Sequence, residues 1–435
     1  MITADIVRAP GSKLMIAVLI GGLLTIPLFA TYLLVFDRMS QSQTARASIV
    51  QGWGGGQRIG APVLVIPYPT TADVKRADGQ VETSTVWHEL TLAPETADLA
   101  TILAHEQRRR SIYSAVVYRA LVSGSARFSL PADLARLGVT RETLALDRAE
   151  LRFTVSDASG LAGAPPVVHA GGARLALQPG AGGGAGFHAW LNAGRLAARP
   201  ITVDFRYILR GSQSLALHPS GGDTRWMVRS RWHDPSFAGD FLPAEHHAGA
   251  RGFVAAWRIG NLALGSAVAS TTRPAADSGE VAEVDLVTPV DLYSQVTRSV
   301  KYGFLFIGFT FLMFWMFDVI GGVAVAMVEY LLAGAGLVLF FTMLLAFAEV
   351  IGFTFAYIVA GSAILGLLTA YSAAVLASWR RAGLVCGLLS ALYAILYVLL
   401  SLEAYSLLIG SVLLFAALAV VMWLTRRLDW RPAIL

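Results

Sequence analysis

Residues Leu14–Phe36, LMIAVLIGGLLTIPLFATYLLVF, form a run of 23 positions without a charge, closed by Asp37 and Arg38. A helix needs about 20 apolar residues to cross the hydrocarbon layer of a bilayer, and this run supplies them. The rival reading is a cleaved signal peptide, with Arg8 and Lys13 as its basic region and Ala45-Arg46-Ala47 as a small-residue cleavage site. The run is longer than the ~7–15 apolar residues of a signal peptide, and Asp37 and Arg38 separate it from that site. An uncleaved anchor helix is therefore expected.

The rest of the chain fits a membrane protein. Of its 435 residues 55% are hydrophobic and 14% charged, against about 25% charged in an ordinary soluble domain. The region from Phe304 to Leu424 is a second apolar block, which divides into Tyr302–Phe317, Met327–Phe347, Ile351–Trp379, Leu384–Leu402 and Tyr405–Leu424. These add about five spans to the anchor. The expected class is an α+β membrane protein with a large β-rich domain between one N-terminal helix and a C-terminal bundle. Its expected divisions are a tail at 1–13, an anchor at 14–36, an outer domain at 37–301, a bundle at 302–424 and a second tail at 425–435.

Charge sets the expected orientation. With the N-terminus in the cytoplasm, Arg380, Arg381, Arg426, Arg427 and Arg431 all fall inside, while the short outer turns carry Glu349 and Glu403. That is the positive-inside pattern. Arg38, Arg298 and Lys301 flank a long translocated domain, where local basic charge counts for less. Both termini are expected in the cytoplasm and residues 37–301 on the outer side of the membrane. The net charge of +5 comes from scattered arginines, with only Lys13, Lys75 and Lys301 as lysines, so no nucleic-acid face is expected. Arg108–Arg110 reads as a solvated strand end or turn. Cys386, the one cysteine, lies in a span, so the outer domain must be held by its core rather than by a disulfide.

Between the apolar blocks the hydrophobic period changes from helical to alternating. In Ile201–Leu209, ITVDFRYIL, the odd positions are apolar and Thr202, Asp204 and Arg206 point the other way. In Asp223–Trp232, DTRWMVRSRW, Trp226, Val228 and Trp232 share one face with Ser230, and Arg225, Arg229 and Arg231 share the other with Met227. VLVIP, VWHELTL, IYSAVVYRALV, ELRFTV and VAEVDLV read as further short strands separated by Gly, Pro and Asp. An antiparallel, sandwich-like β domain is expected. GWGGG and PGAGGGAG lack the Gly-Lys-Ser/Thr or βαβ context of a phosphate loop, so the second reads as a flexible β-to-β connection.

All eight histidines lie in the outer domain, which removes His-ligated metal or haem and any Ser-His hydrolase from the spans. Asp318 stands alone as an aspartate until Asp429, so no aspartyl dyad is expected there either. Glu329, Glu349 and Glu403 fall near span ends and read as interfacial, although membrane carboxylates are functional candidates by default. Glu245-His246-His247, His88-Glu89 and His105-Glu106 do not extend to a metal motif. Neither a metal nor a cofactor is expected.

The densest polar cluster is Trp232–Ala244, WHDPSFAGDFLPA. On a strand His233 and Asp234 point to opposite faces, and Pro235 holds Asp234 extended, so these neighbours cannot fold together as a triad. Pro235-Ser236 and Gly239-Asp240 read as turns, with Trp232, Phe237, Phe241 and Leu242 as apolar anchors, Phe237 at the tip, and Pro243 as a stop. The expected role is a braced corner that can serve as a docking surface.

These segments, with RSVKYGFLFIGFTFLMFWMFD, EYLLAGAGLVLFFTMLLAFAEVIGFTFAYIVA, LTRRLDW, APVLVIPY and RRSIYSAVVY, resemble the CreD family of bacterial inner-membrane, cell envelope integrity proteins over essentially the whole chain. The family pattern covers Pro235, Ser236, Phe237, Gly239, Asp240, Phe241, Leu242 and Pro243 in the corner. In the membrane it covers Lys301, Tyr302, Asp318, Tyr330, Leu331, Leu332, Gly334, Glu349, Gly352 and Phe353, and near the end Thr425, Arg426, Asp429 and Trp430. His246 and His247 lie outside it, and the wholly apolar or glycine turn Val319–Val328 departs from the polar, basic turn expected of the family. The resemblance implies a role in envelope stress, control by a two-component regulator and a link to the β-lactam response, with no known reaction.

Two functions follow as expectations. The first is a non-enzymatic protein whose outer domain senses, scaffolds or docks, with the lipid bilayer and an unidentified envelope protein or cell-wall component as partners. The second is transport or lipid handling by the bundle, with Glu349 as its polar site.

Overall fold

In a computed structural model, the protein is described over residues 10–75, 81–161, 163–182, 184–272, 280–286, 292–319, 325–401 and 406–426. Two compact units emerge, one of residues 44–289 and one combining 1–43 with 290–435. The chain has an N-terminal apolar helix, a large β-rich middle region and a C-terminal series of apolar helices, an α+β architecture.

The first helix, α1, runs over Pro10–Trp53, well beyond the apolar run that nucleates it. Pro27 lies inside it and lacks an N–H to donate, while the Thr31 hydroxyl bonds the Pro27 carbonyl at 3.0 Å. The Ala45-Arg46-Ala47 stretch is thus helical. The far end of α1 is held within the β-rich unit: the Trp53 indole donates to the Tyr118 carbonyl at 3.2 Å. The guanidinium carbons of Arg108 and Arg210 lie 4.0 and 4.5 Å from the centre of the Trp53 ring. Arg110 bonds the Ser48 hydroxyl. Arg108–Arg110 do end a strand, and Arg108 and Arg110 grip the helix end as well as facing solvent.

Three sheets surround one core in this unit, rather than the two of a simple sandwich. The largest, with eight strands, has Thr96–Arg110, Tyr113–Phe128 and Ile201–Ser212 near its middle, and Glu245–Gly249 and Ala173–Arg174 at its edges. A six-stranded sheet is built on the long hairpin Val63–Lys75 and Val81–Leu92. A four-stranded sheet orders Gln57–Gly60, Ser214–His218, Ala282–Asp285 and Ser236–Gly239. Pairing is antiparallel except for Thr96–Arg110 with Asp223–Ser230 and Gln57–Gly60 with Ser214–His218.

The alternation read in the sequence decides what is buried. Trp226, Val228 and Trp232 go inward, and the Trp226 and Trp257 rings meet at 4.7 Å. The Trp226 indole donates to the Thr101 hydroxyl at 3.0 Å, which satisfies a polar group deep in the core. Phe153, Phe187, Phe205 and Tyr207 form a second aromatic cluster, and burial pushes the Tyr207 hydroxyl well above its ordinary value. PGAGGGAG forms a hairpin rather than a loose connection, with strands at Gln178–Ala181 and Gly184–Leu191. Gly186 has φ of +138°, and a Cβ there would lie 2.0 Å from the Phe153 carbonyl oxygen, so this strand crosses its partner only as glycine.

In the other unit the helices after the β region are α2 (Leu292–Lys301), α3 (Gly303–Val319), α4 (Met327–Ile351), α5 (Phe353–Val375), α6 (Trp379–Ser401) and α7 (Ser406–Thr425). Among the described residues five helical stretches are long and apolar enough to span a membrane, one of them joining α2 and α3; α7 contributes a shorter apolar stretch, Gly410–Val420. Ile351 ends α4 and Trp379 starts α6, so neither belongs to the span Ile351–Trp379 read from the sequence. The helices approach closely at glycine: a Cβ on Gly334 would lie 2.1 Å from Leu24, and one on Gly303 2.7 Å from Leu28. Phe306, Phe340, Phe341, Tyr357 and Tyr393 fill the interior, with the Tyr357 hydroxyl donating to the Tyr393 carbonyl at 2.9 Å.

Candidate functional site

The WHDPSFAGDFLPA segment links the edges of two sheets. Ser236–Gly239 is a strand, not a turn, and pairs antiparallel with Ala282–Asp285 at the edge of the four-stranded sheet. Asp240 locks its end: its amide donates to the Val281 carbonyl at 2.8 Å, and its carboxylate accepts from the Val281 amide at 2.9 Å. Gly239 has φ of +86°, and a Cβ would lie 2.3 Å from the Val281 oxygen. Beyond it, the Trp257 indole donates to the Phe241 carbonyl at 2.9 Å, and the Ala244 amide joins Ala256 at 2.8 Å on the way to the edge strand Glu245–Gly249.

Side-chain placement corrects two readings of this corner. Phe237 is not a tip: it is half-buried, with its ring centre 5.8 Å from that of Trp257 and 5.9 Å from that of Phe253. Leu242 is not an anchor, being 68% exposed. Trp232 is buried, and its indole donates to the Asp234 carbonyl at 2.9 Å. That bond folds the chain back before Pro235, which is itself half-buried, as is Phe241. Pro243 is half-buried as well. His233, Asp234 and Ser236 are exposed and share no hydrogen bond among the described residues.

Beside the corner lies a cleft of about 790 Å³ on the eight-stranded sheet. Arg229, Arg231 and Arg251 line it together with His105 and His247. The ring centres of His105 and Trp232 are 5.2 Å apart, edge to face, so the corner tryptophan also packs against a cleft residue. Among the described residues no three His, Cys, Asp or Glu side chains group as a metal site, and Glu245, His246 and His247 simply follow one another along an exposed edge strand.

In the membrane unit, the deeply buried carboxylate is Asp318, with 1% of its side chain exposed, and not Glu349. Lys13 Nζ meets Asp318 Oδ1 at 2.6 Å, while Oδ2 has no partner among the described residues. The Tyr330 hydroxyl is likewise buried without a partner, and its ring lies against Phe311 and Phe314. Glu349 accepts from the Tyr293 hydroxyl at 3.0 Å. Glu329 accepts the Ala326 amide at 2.7 Å and so caps the start of α4. Lys301 is exposed and ends α2, and Tyr302 forms the joint to α3 with its amide on Arg298 and Ser299 carbonyls. Glu403, Asp429 and Trp430 lie outside the described residues, as does the middle of the Val319–Val328 turn.

The Lys13 partnership escaped sequence reading because 305 positions separate the two charges. Arg229 and Arg231 were legible on one strand face; Arg251 joins them from a hairpin turn that no local pattern announced.

A unit of apolar helices and a β-rich unit inserted between its first and second helices define a multi-pass membrane protein with a large extramembranous domain. The sequence model of the CreD family, described as inner membrane protein CreD, matches residues 9–431. The inner membrane protein CreD of Escherichia coli (strain K12) is 30% identical over 417 residues, covering 94% of this chain and 91% of that protein. The chain belongs to the CreD family.

Proposed function

We propose that this protein is a non-enzymatic inner-membrane component of cell envelope integrity, active in the envelope-stress and β-lactam response under two-component control. The outer unit, residues 37–301 with its core at 44–289, is its sensing, scaffolding or docking module, and it faces the periplasm while both termini lie in the cytoplasm. Arg380 and Arg381 at the start of α6 support that orientation through the positive-inside rule. The observation that carries the reading is the corner. It buries Trp232 and half-buries Phe237, and it leaves Leu242 exposed just past the edge strand Ser236–Gly239. A sheet edge without a second partner strand among the described residues, beside an exposed leucine, is a surface suited to binding.

The test is complementation of a deletion strain under β-lactam stress. Ser236→Ala and His233→Ala should restore growth as well as the parent chain does. Phe241→Ala and Pro235→Ala should fail, because they remove packing that holds the corner. Loss of function in Ser236→Ala at normal abundance would point instead to chemistry.

Transport or lipid handling by the bundle is a second reading, favoured by buried Asp318, whose Oδ2 has no partner among the described residues. It requires Asp318→Asn to abolish function in a variant of normal membrane abundance. A working, abundant Asp318→Asn protein removes it.

A further inference from the structure

We infer that the cleft beside the corner is an anion site that binds a phosphate group carried next to an apolar moiety. This deepens the docking reading above and rests on it.

The outer face of the eight-stranded sheet carries arginines in two different settings. At one end, Arg225 and Arg258 stand opposite each other on neighbouring strands. Arg225 reaches Asp98 at 3.8 Å and Asp223 at 3.4 Å, and Arg258 reaches Asp223 at 3.6 Å. Two acids neutralise two bases there. At the other end, Arg229, Arg231 and Arg251 converge on the cleft, and among the described residues none forms an ion pair and no carboxylate lines the cleft. The same strand thus balances its charge at one end and leaves it unbalanced at the other.

Backbone geometry places the third arginine. Gly252 has φ of +112°, and a Cβ there would fall 2.1 Å from the Ser230 carbonyl oxygen and 2.6 Å from the Arg231 Cα. The turn that carries Arg251 is therefore pressed against Arg231, as only glycine allows. Three guanidinium groups, each a planar fork of donors, face one space, and His247, paired with exposed Val254 on the same face, adds a further ring. Such forks match the oxygens of phosphate in two-point hydrogen bonds, and several on one group balance its multiple charge. Ile102 and Val254 line the same cleft at 54% and 40% exposure, which gives an apolar group beside the phosphate a surface to cover.

The phosphate can come from a lipid headgroup or from a soluble compound, and two probes separate these sources. Full-length protein in neutral detergent is titrated calorimetrically with pyrophosphate and with dihexanoyl phosphatidic acid. Saturable binding of pyrophosphate assigns a soluble phosphate, and saturable binding of the lipid alone assigns a headgroup. In either case the Arg229→Gln/Arg231→Gln variant should bind about tenfold more weakly or worse, since it loses charge-assisted donors. The exposed Arg225→Gln variant removes a neighbouring positive charge outside the cleft and should bind like the parent. The proposal is overturned by no saturable binding of either probe. It is equally overturned if the double variant matches the parent, or if Arg225→Gln weakens binding as much. Both variants are first checked for parental melting behaviour. Failure here leaves the docking reading standing, because that reading is decided separately by cross-linking at Leu242.

Discussion

Nζ of Lys13 stands 2.6 Å from Oδ1 of Asp318, which ties the start of the first apolar helix to the end of the second. With 1% of its side chain exposed, Asp318 has little access to water, and the Lys13 ammonium stands where water would otherwise bond Oδ1. The pair also places the start of α1 and the end of α3 at the same level, as antiparallel spans require.

Lys13→Ala is expected to destabilise the helical unit by about 3 kcal/mol, the low end for breaking a buried pair, because Lys13 itself is 25% exposed. Joint replacement, Lys13→Leu with Asp318→Leu, should recover most of that loss, since it leaves no unpaired charge. Thermal melting of the purified protein in detergent, compared across both single variants and the double variant, measures the coupling.

Arg152 carries a comparable burden in the β-rich unit. Burial works against its charge, but bonds to Glu150 and to both oxygens of Glu89 outweigh it and hold the guanidinium above its ordinary value. Arg152→Ala should cost about 3–5 kcal/mol by leaving the well-buried Glu150 carboxylate without its partner. Arg152→Lys should recover only part of this, because an ammonium cannot make the two-point contact with Glu89. Melting and protease resistance of the β-rich unit report both.

Asp285, paired with the corner strand, gives a pH signature. Burial, and then repulsion from Glu283, raise its carboxyl above the ordinary value of 3.8. The native state therefore holds this proton more tightly than the unfolded chain does. Its contribution is favourable at low pH and is lost as pH rises through the raised native value. Asp285→Asn removes that penalty, so the variant should melt higher than the parent at neutral pH, and the difference should shrink as pH falls toward 3.8. A gain that persists unchanged in acid would show that titration of Asp285 is not its source.

Much of this architecture was legible because membrane spans and half-buried strands carry their own periods. Leu14–Phe36 could be nothing but an apolar helix, and Ile201–Leu209 alternates with little ambiguity. Thr96–Arg110 was missed, because its buried positions include Ala97, Leu99 and Thr101, a mixture too polar and too small to show the period. Gly239 and Gly186 resembled turn residues, since glycine signals close backbone approach and reversal with the same letter. Phe237 and Leu242 exchanged expected roles for another reason. Which apolar side chain of a corner goes inward depends on Trp257 and Phe253, which belong to a later strand. Asp318 was noticed as an isolated aspartate, but its burial depends on Lys13, far away in sequence.

The docking claim is tested most directly by in-cell photo-cross-linking from position 242, with position 237 as the half-buried comparison. A photoreactive residue replacing Leu242 should give a discrete adduct with an envelope component that changes in yield under β-lactam stress, while position 237 gives intramolecular products. No adduct from Leu242 in a folded, abundant protein, or lipid adducts alone under both conditions, would contradict the account and move the function to Asp318 and the bundle.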